Sequence, residues 1–429
     1  MSGKRLNIGI REKPSKGKWF VLSFQHVFAM FGSTILVPLL TDMSPAVALF
    51  ASGVGTIIYQ VCTKFSVPVY LGSSFAYIAA VNFAKESMNG DIGAAQTGLI
   101  LVGITYVLVS LLVKIIGKKW INKLLPPIVI GPMIAVIGLG LASTAISQTG
   151  LTVQASADPE NWKNIVVAIS TFAIAAGIST KAKGFLKIVP LILAVIGGYI
   201  LSAILGIVDF SQIIATLKNP VALPDLALPF EFLGFDSYKL NFGPEVWAIL
   251  PLAFVTIAEH IGDHTVLGKI TDKDFLQDPG LDRTLAGDGF ATIFSAFVGG
   301  PVNTTYGENT GVVGMTKVAS VYVITGAAVI AIALSFITPL TALIQSIPNA
   351  VLGGMSVLLF GTIASNGLRV LVDAKVDFNK QRNLIIAATM LVIGLGGAVI
   401  QFSSLVSITG MALSALVGIT LNLVLPKEH

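Results

Sequence analysis

Three carboxylates stand where the sequence is otherwise apolar: Glu259, Asp263 and Glu308. Charged side chains in a hydrocarbon setting are costly, and they are kept where they bind a substrate or carry protons and cations. Glu259 and Asp263 are four residues apart in Ala258-Glu259-His260-Ile261-Gly262-Asp263-His264, so on a helix they share one face, with Gly262 leaving room beside them. Two carboxylates so placed in a low dielectric cannot both be ionised cheaply, so the pair can hold and release a proton. His260 points elsewhere by helical geometry and is expected to be structural. Glu308 follows a stretch rich in glycine and polar residues and opens Glu308-Asn309-Thr310-Gly311. That puts its carboxylate at a helix start, where the dipole favours negative charge. Gln25 and His26, near the start of the first apolar run, are either a satisfied polar pair or the support of a site. Asp288, Asp373 and Asp377 are expected to be interfacial or solvated.

The surroundings of these groups follow from composition. Of 429 residues, 54% are hydrophobic and 11% charged, against roughly a quarter charged in an ordinary soluble domain. Apolar runs recur from end to end, and about 20 such residues cross a bilayer core as a helix. The first of them, 19–40, is too long for a cleaved signal peptide and is taken as a span. Cys62 is the only cysteine, which excludes an intramolecular disulfide and chemistry by paired thiols. With four histidines beside it, no structural zinc site is expected.

Cutting the runs at charged or turn-rich breaks gives spans at 19–40, 46–63, 69–84, 95–116, 124–146, 164–180, 185–207, 246–267, 284–299, 304–320, 321–344, 350–367, 383–400 and 405–425. The expected fold is therefore an all-α polytopic membrane protein with fourteen transmembrane segments. An even count puts both termini on one side. If that side is the cytoplasm, it collects 23 of the 27 basic residues, from Lys4 and Arg5 through Lys187 to Lys427, and leaves outside only Lys85, Lys163, Lys218 and Lys239. This is the asymmetry of the positive-inside rule. The segment 208–245, with Asp209, Pro220, Pro224, Asp225, Pro229, Glu231 and Asp236, cannot lie in a bilayer core. It divides the chain into a first repeat at 1–207 and a second at 246–429. Seven spans on each side force the second repeat to run inverted relative to the first, an arrangement found in secondary transporters.

Two spans are poor helices. Val67 to Ser74 contains Pro68 and Gly72 ahead of a short helix from Phe75, and Gly299 to Gly307 contains Pro301 ahead of Glu308. Short extended stretches are thus expected to break spans 3 and 10. Irregular backbone at membrane depth is tolerated where protein or a water-filled cavity satisfies it, and such breaks at matching places in two repeats point to a transporter's binding site. Helix starts at Phe75 and near Glu308 would aim free N–H groups at the midplane, suited to a ligand with carbonyl oxygens.

Glu308-Asn309-Thr310-Gly311-Val312-Val313-Gly314-Met315-Thr316-Lys317 resembles the signature of the nucleobase-ascorbate transporter (nucleobase–cation symporter-2) family. The resemblance extends over Gln25-His26-Val27-Phe28-Ala29-Met30-Phe31-Gly32, Tyr70 to Ala76, Ala258-Glu259-His260 and Asn303 to Asn309, and within the family it is greatest to the bacterial uracil permeases. It implies a core of spans 1–4 and 8–11 and a gate of spans 5–7 and 12–14. By matched position it implies that Glu259 and Glu308 accept the N–H groups of a base, that backbone at Phe75 and Gly307 meets its carbonyls, and that Ser33, Tyr306, Ser356 and Phe360 line the pocket. Glu308, Glu259 and Asp263 would carry the coupling proton, with Gln25, His26 and Asn309 in support. Relatives handling xanthine often have glutamine where Glu308 stands, which favours uracil. Purine-transporting relatives tend to have aspartate where Asp263 stands, which favours a purine.

The function expected is import of uracil with protons by alternating access, in the bacterial cytoplasmic (inner) membrane, with a xanthine or other purine symporter as the alternative. An anion exchanger of the related fourteen-span fold is disfavoured by the carboxylates at the site. The expected partners are the nucleobase, protons or sodium in their place, the lipid bilayer and a second copy of the chain in a homodimer. No cofactor, no nucleic acid and no enzyme chemistry are expected, since the chain offers no metal cluster or nucleophile triad.

Overall fold

The structure, a computed structural model, describes residues 6–184, 186, 189–232, 234–403 and 406–426. Lys4, Arg5, Lys187 and Lys427, counted above on one side of the membrane, lie outside the described residues. Helices dominate the chain. Among the described residues six segments are long and apolar enough to cross a membrane: Lys16–Thr41, Pro45–Cys62, Gly93–Ile116, Pro127–Thr149, Asn161–Lys181 and Asn349–Asp373. Shorter apolar helices are Pro190–Ile204, Val321–Ser335, Gln381–Leu395 and Gly410–Val424. Their outer faces stay apolar. Leu108, Leu111 and Ile115 project from one helix and Ile196, Ile200 and Ile204 from another, a helically spaced apolar surface of the kind that meets lipid.

Where helices cross inside the bundle, small residues let backbones meet, since in a membrane close packing rather than water exclusion drives association. A Cβ added at Gly103 would lie 2.8 Å from the carbonyl oxygen of Gly289, and one at Gly289 would lie 2.9 Å from that of Gly103. These two glycines set the contact between Gly93–Ile116 and Leu281–Phe297. The main core runs through Met30, Leu36, Tyr77, Leu99, Leu252 and Leu285.

The expected breaks are present. Leu71–Ser73 is a strand, followed by a turn at Phe75–Tyr77 and a ten-residue helix, Ile78–Ser87. Asn303–Thr305 is likewise a strand and leads into the ten-residue helix Gly307–Thr316. Other boundaries differ from expectation. The run at 321–344 divides into Val321–Ser335 and Thr338–Gln345, because Pro339 lacks an N–H and its ring would clash with the carbonyl four residues back, so it is accommodated in the first turn of a new helix. The run at 246–267 is a short helix Pro244–Ile249 and a long one Leu252–Thr271, separated at Pro251. The run at 383–400 stops being helical at Leu395, where Gly396 and Gly397 follow and Gly397 takes φ 68. Beyond it Val399–Ser403 and Val406–Thr409 form an antiparallel hairpin, so the helix expected from 405 begins only at Gly410. Between 208 and 245 lie a short helix, Ser211–Thr216, and two parallel two-residue strands, Ala227–Leu228 and Asp236–Ser237. Leu228 packs on Val47, Ala51 and Val298.

Candidate functional site

The two broken segments solve each other's backbone problem. Leu71–Ser73 and Asn303–Thr305 pair antiparallel, with Leu71 opposite Thr305 and Ser73 opposite Asn303. At the ends of the pair Tyr306 N donates to Tyr70 O at 3.1 Å and Ser74 N to Val302 O at 2.9 Å. Each backbone group left unpaired in hydrocarbon would cost several kcal/mol. Neighbouring side chains complete the pairing. Ser52 Oγ donates to Leu71 O, Leu71 N to Thr56 Oγ1, Thr292 Oγ1 to Asn303 O and Asn303 Nδ2 to Ala51 O, all within 3.0 Å. Gly72 is required here, because a Cβ would lie 2.4 Å from the Tyr306 ring. Tyr306 is buried, and its hydroxyl donates to Ser73 O at 3.1 Å and accepts from Thr34 Oγ1 at 3.2 Å.

Both strands deliver helix starts to the same region. The turn from Phe75 has Ser74 before it, and Gly307–Thr316 has Tyr306 before it and Glu308 in its first turn. Ser33 Oγ, from the first helix, donates to Glu308 Oε1 at 2.5 Å. Glu308 is half-buried while Gly307 and Gly311 on the same helix are exposed, so this helix has an open side. Asp263 borders it: a Cβ at Gly307 would lie 3.8 Å from Asp263 Oδ1. Asp263 Oδ2 accepts from Thr305 Oγ1 at 2.7 Å. Glu259, one turn earlier on Leu252–Thr271, is also half-buried. Among the described residues none donates a hydrogen bond to its carboxylate. Phe75 meets Phe360 edge to face, with ring centroids 6.0 Å apart. Ser356, one turn before Phe360 on Asn349–Asp373, is fully buried and its hydroxyl has no partner. The fold therefore gathers Ser33, Phe75, Glu259, Asp263, Tyr306, Gly307 and Glu308 around the strand pair, with Phe360 meeting it at Phe75 and Ser356 one turn away on the Phe360 helix. A polar cavity of about 710 Å³ bounded by Gln148, Asn161, Asp209 and Asn349 contains none of them.

Behind the carboxylates the polar groups are partnered across helices, although Asp288 Oδ1 and Asn309 Oδ1 find no partner among the described residues. Asn309 Nδ2 donates to His26 O at 3.1 Å and lies 3.1 Å from His26 Nδ1. These contacts join the Glu308 helix to the first helix at His26. Gln25 is buried beside it. His260 faces away from the open side, its Nδ1 2.7 Å from Asp288 Oδ2 and its Nε2 2.9 Å from Thr284 Oγ1. His264 Nδ1 donates to His260 O at 2.7 Å, which leaves Nε2 to accept from the Tyr59 hydroxyl at 2.5 Å.

Asp288 corrects an expectation. It is neither interfacial nor solvated but fully buried, on Leu281–Phe297, because the close crossing at Gly103 and Gly289 seals that part of the helix and His260 supplies the partner a buried carboxylate needs. The available signal was Gly287-Asp288-Gly289, an acid between two glycines in a tightly packed span. Thr305 was also missed as a functional group. It was read only as part of a broken segment, and its contact with Asp263 depends on the strand pairing.

A family model described as Permease family, Xan_ur_permease, matches residues 17–402. The chain is 48% identical to a uracil permease of Bacillus caldolyticus over 98% of this chain and 94% of that protein. It is 47% identical to a uracil permease of Bacillus subtilis (strain 168), covering 100% and 97%, and 42% identical to one of Escherichia coli (strain K12), covering 98% and 94%. Among solved structures, the transmembrane domain of the cyanobacterial bicarbonate transporter BicA superposes with a TM-score of 0.65 at 14% identity, covering 95% of this chain and 97% of that one. Murine solute carrier 26 family member A9 superposes with a TM-score of 0.68 at 11% identity, covering 96% and 68%. At these identities the structural likeness speaks for the fold.

Proposed function

The chain belongs to the nucleobase–cation symporter family of permeases, and we propose that within it this protein imports uracil together with protons. It is a multi-pass membrane transporter and not an enzyme. The observation that carries the reading is the open side of the Glu308 helix, bordered by Asp263, with Glu259 half-buried one turn from Asp263 on the same helix. Uracil presents two N–H groups and two carbonyls. Glu259 and Glu308 are charge-capable acceptors for the former, and the backbone N–H groups at Phe75 and Gly307 suit the latter. Phe75, Phe360 and Tyr306 provide the flat apolar boundary of the pocket, with the buried Ser33 and Ser356 behind it.

Coupling follows from the same crowding. Glu259, Asp263 and Glu308 share one low-dielectric region, where three full charges together are expensive. Taking up a proton and taking up the base relieve that cost together, which links the two. Ser33 and Thr305 hold two of the three in fixed orientation. The architecture we assign is fourteen spans in a 7+7 inverted repeat joined by 208–245, with spans 1–4 and 8–11 as a core that moves against a gate of spans 5–7 and 12–14, and with both termini cytoplasmic. The antiparallel pairing of spans 3 and 10 supports the repeat. The sharing of a fold with BicA and the murine carrier supports the division into core and gate.

Glu259→Gln and Glu308→Ala are each expected to abolish uptake of labelled uracil with the protein still inserted in the membrane. Undiminished uptake by either would refute the site. A purine symporter is the second reading, favoured by the aspartate at Asp263. Competition separates the two: uptake of labelled uracil should be little affected by excess xanthine, and strong inhibition by xanthine, with labelled xanthine itself taken up in preference to uracil, would reverse the assignment.

A further inference from the structure

The helix that carries Glu308 is ten residues long, too short to be stable by itself. Its first turn is held by the strand pair, and its side at Gly307 and Gly311 is open. Asn309 ties its N-terminal half to His26, and its tilt about those anchors depends on its other end, where Lys317 ends it in the left-handed conformation at φ 58. That end is gripped by residues 6–12. Asn7 N and Ile8 N donate to Lys317 O at 2.8 and 3.3 Å, and Ile8 lies parallel to Val318 in a β-bridge. Ala319 N donates to Ile8 O at 3.0 Å and Val321 N to Ile10 O at 2.9 Å. Asn7 Nδ2 donates to Thr316 O at 2.8 Å and Ser320 Oγ to Glu12 O at 2.7 Å. Leu6 and Ile10 pack into an apolar cluster with Val67, Leu71, Leu267 and Val313. These belong to the chain entering the first broken span, to the helix of Glu259 and Asp263, and to the helix of Glu308. Arg11 also donates to Ser66 Oγ at 2.9 Å.

We propose that residues 6–12 are a positioning strap that sets the placement of Glu308 from the opposite end of its helix. Lys317 lies roughly 13 Å along the axis from Glu308 at 1.5 Å per residue, so a tilt of a few degrees at the strap moves the carboxylate by roughly 1 Å, enough to cost a factor of about 100 where geometry is critical. The strap touches neither substrate nor proton; it acts through Ile8 and Ile10 on the helix. The proposal rests on the reading of Glu308 as a substrate ligand.

In the full-length protein, Ile10→Asp, which puts a carboxylate into the apolar cluster, is expected to raise the KM for uracil about tenfold, while Ile10→Val stays within about twofold of the original. Adding Ile8→Cys and Val318→Cys in a Cys62→Ser background re-fastens the strap through a disulfide. The KM should then return toward its original value and rise again on reduction. An unchanged KM in Ile10→Asp, or a raised KM that the cross-link does not lower, overturns the proposal. The milder pair Asn7→Ala and Arg11→Ala covers the case in which Ile10→Asp does not reach the membrane, with an expected rise of about threefold; no rise there has the same force. Amide hydrogen exchange between Val312 and Val318 reports on the strap whatever the substrate is. Faster exchange in the variants supports the strap and unchanged exchange overturns it, whereas failure of the unaltered protein to bind uracil counts against the substrate reading instead.

Discussion

At the scale of single residues, two of the three acids at the site are oriented by a hydroxyl on another element, Ser33 for Glu308 and Thr305 for Asp263. Thr305→Val keeps the shape and removes the hydrogen bond, a loss of about 1.5 kcal/mol for a bond to a charged group. We expect a several-fold rise in the KM for uracil with expression unchanged, measured by uptake at varied concentration. Asp288 works differently. Asp288→Ala leaves the buried His260 Nδ1 without its hydrogen-bond partner, and a buried group left unsatisfied costs about 2 kcal/mol. The thermal unfolding of the detergent-extracted protein should move to lower temperature, and Asp288→Asn, which keeps an acceptor, should move it less. Equal stability of the two variants would remove the pairing from the explanation. Glu259, Asp263 and Glu308 were legible as candidates for function from residue type alone, since an acid in an apolar run declares its cost. Asp288 was not, because its burial depends on which helix crosses it.

At the scale of elements, the broken spans are the device that positions the site. Proline and glycine in 67–74 and 299–307 announce non-helical backbone, and the strands are where those residues place them. What no single segment could reveal is that the two breaks satisfy one another. Gly72→Ala tests the pairing: its Cβ would fall 2.4 Å from a Tyr306 ring pinned by Thr34 and Ser73. Uptake should be lost, and Tyr306→Ala added to Gly72→Ala should recover strand pairing, seen as restored thermal stability, without restoring transport. Recovery of transport as well would take Tyr306 out of the pocket. The hairpin at Val399–Ser403 and Val406–Thr409 was read as helix because its β-branched, apolar sequence suits a span as well as a strand, and only the two glycines after Leu395 signalled the stop.

At the scale of the whole molecule, coupling to protons predicts that a protonophore lowers uracil uptake in cells while exchanging external sodium for another monovalent cation leaves it unchanged. Dependence on sodium with indifference to the protonophore would transfer the coupling to that cation, which carboxylates can also serve. The glycine crossing at Gly103 and Gly289 predicts that Gly289→Leu prevents correct assembly, read as loss of a monodisperse detergent-extracted species. Sequence alone determined that the chain lives in a bilayer, roughly where its spans run, which acids are out of place and where the backbone breaks. These are local properties, set by side-chain transfer energies and by the steric demands of proline and glycine. Tertiary structure decided which break pairs with which, that Asp288 is sealed against His260, and that residues 6–12 hold the far end of the Glu308 helix. Those contacts join separate elements, two of the three from distant parts of the sequence, and their energies exist only once both partners are brought together in a medium that offers no water as a substitute.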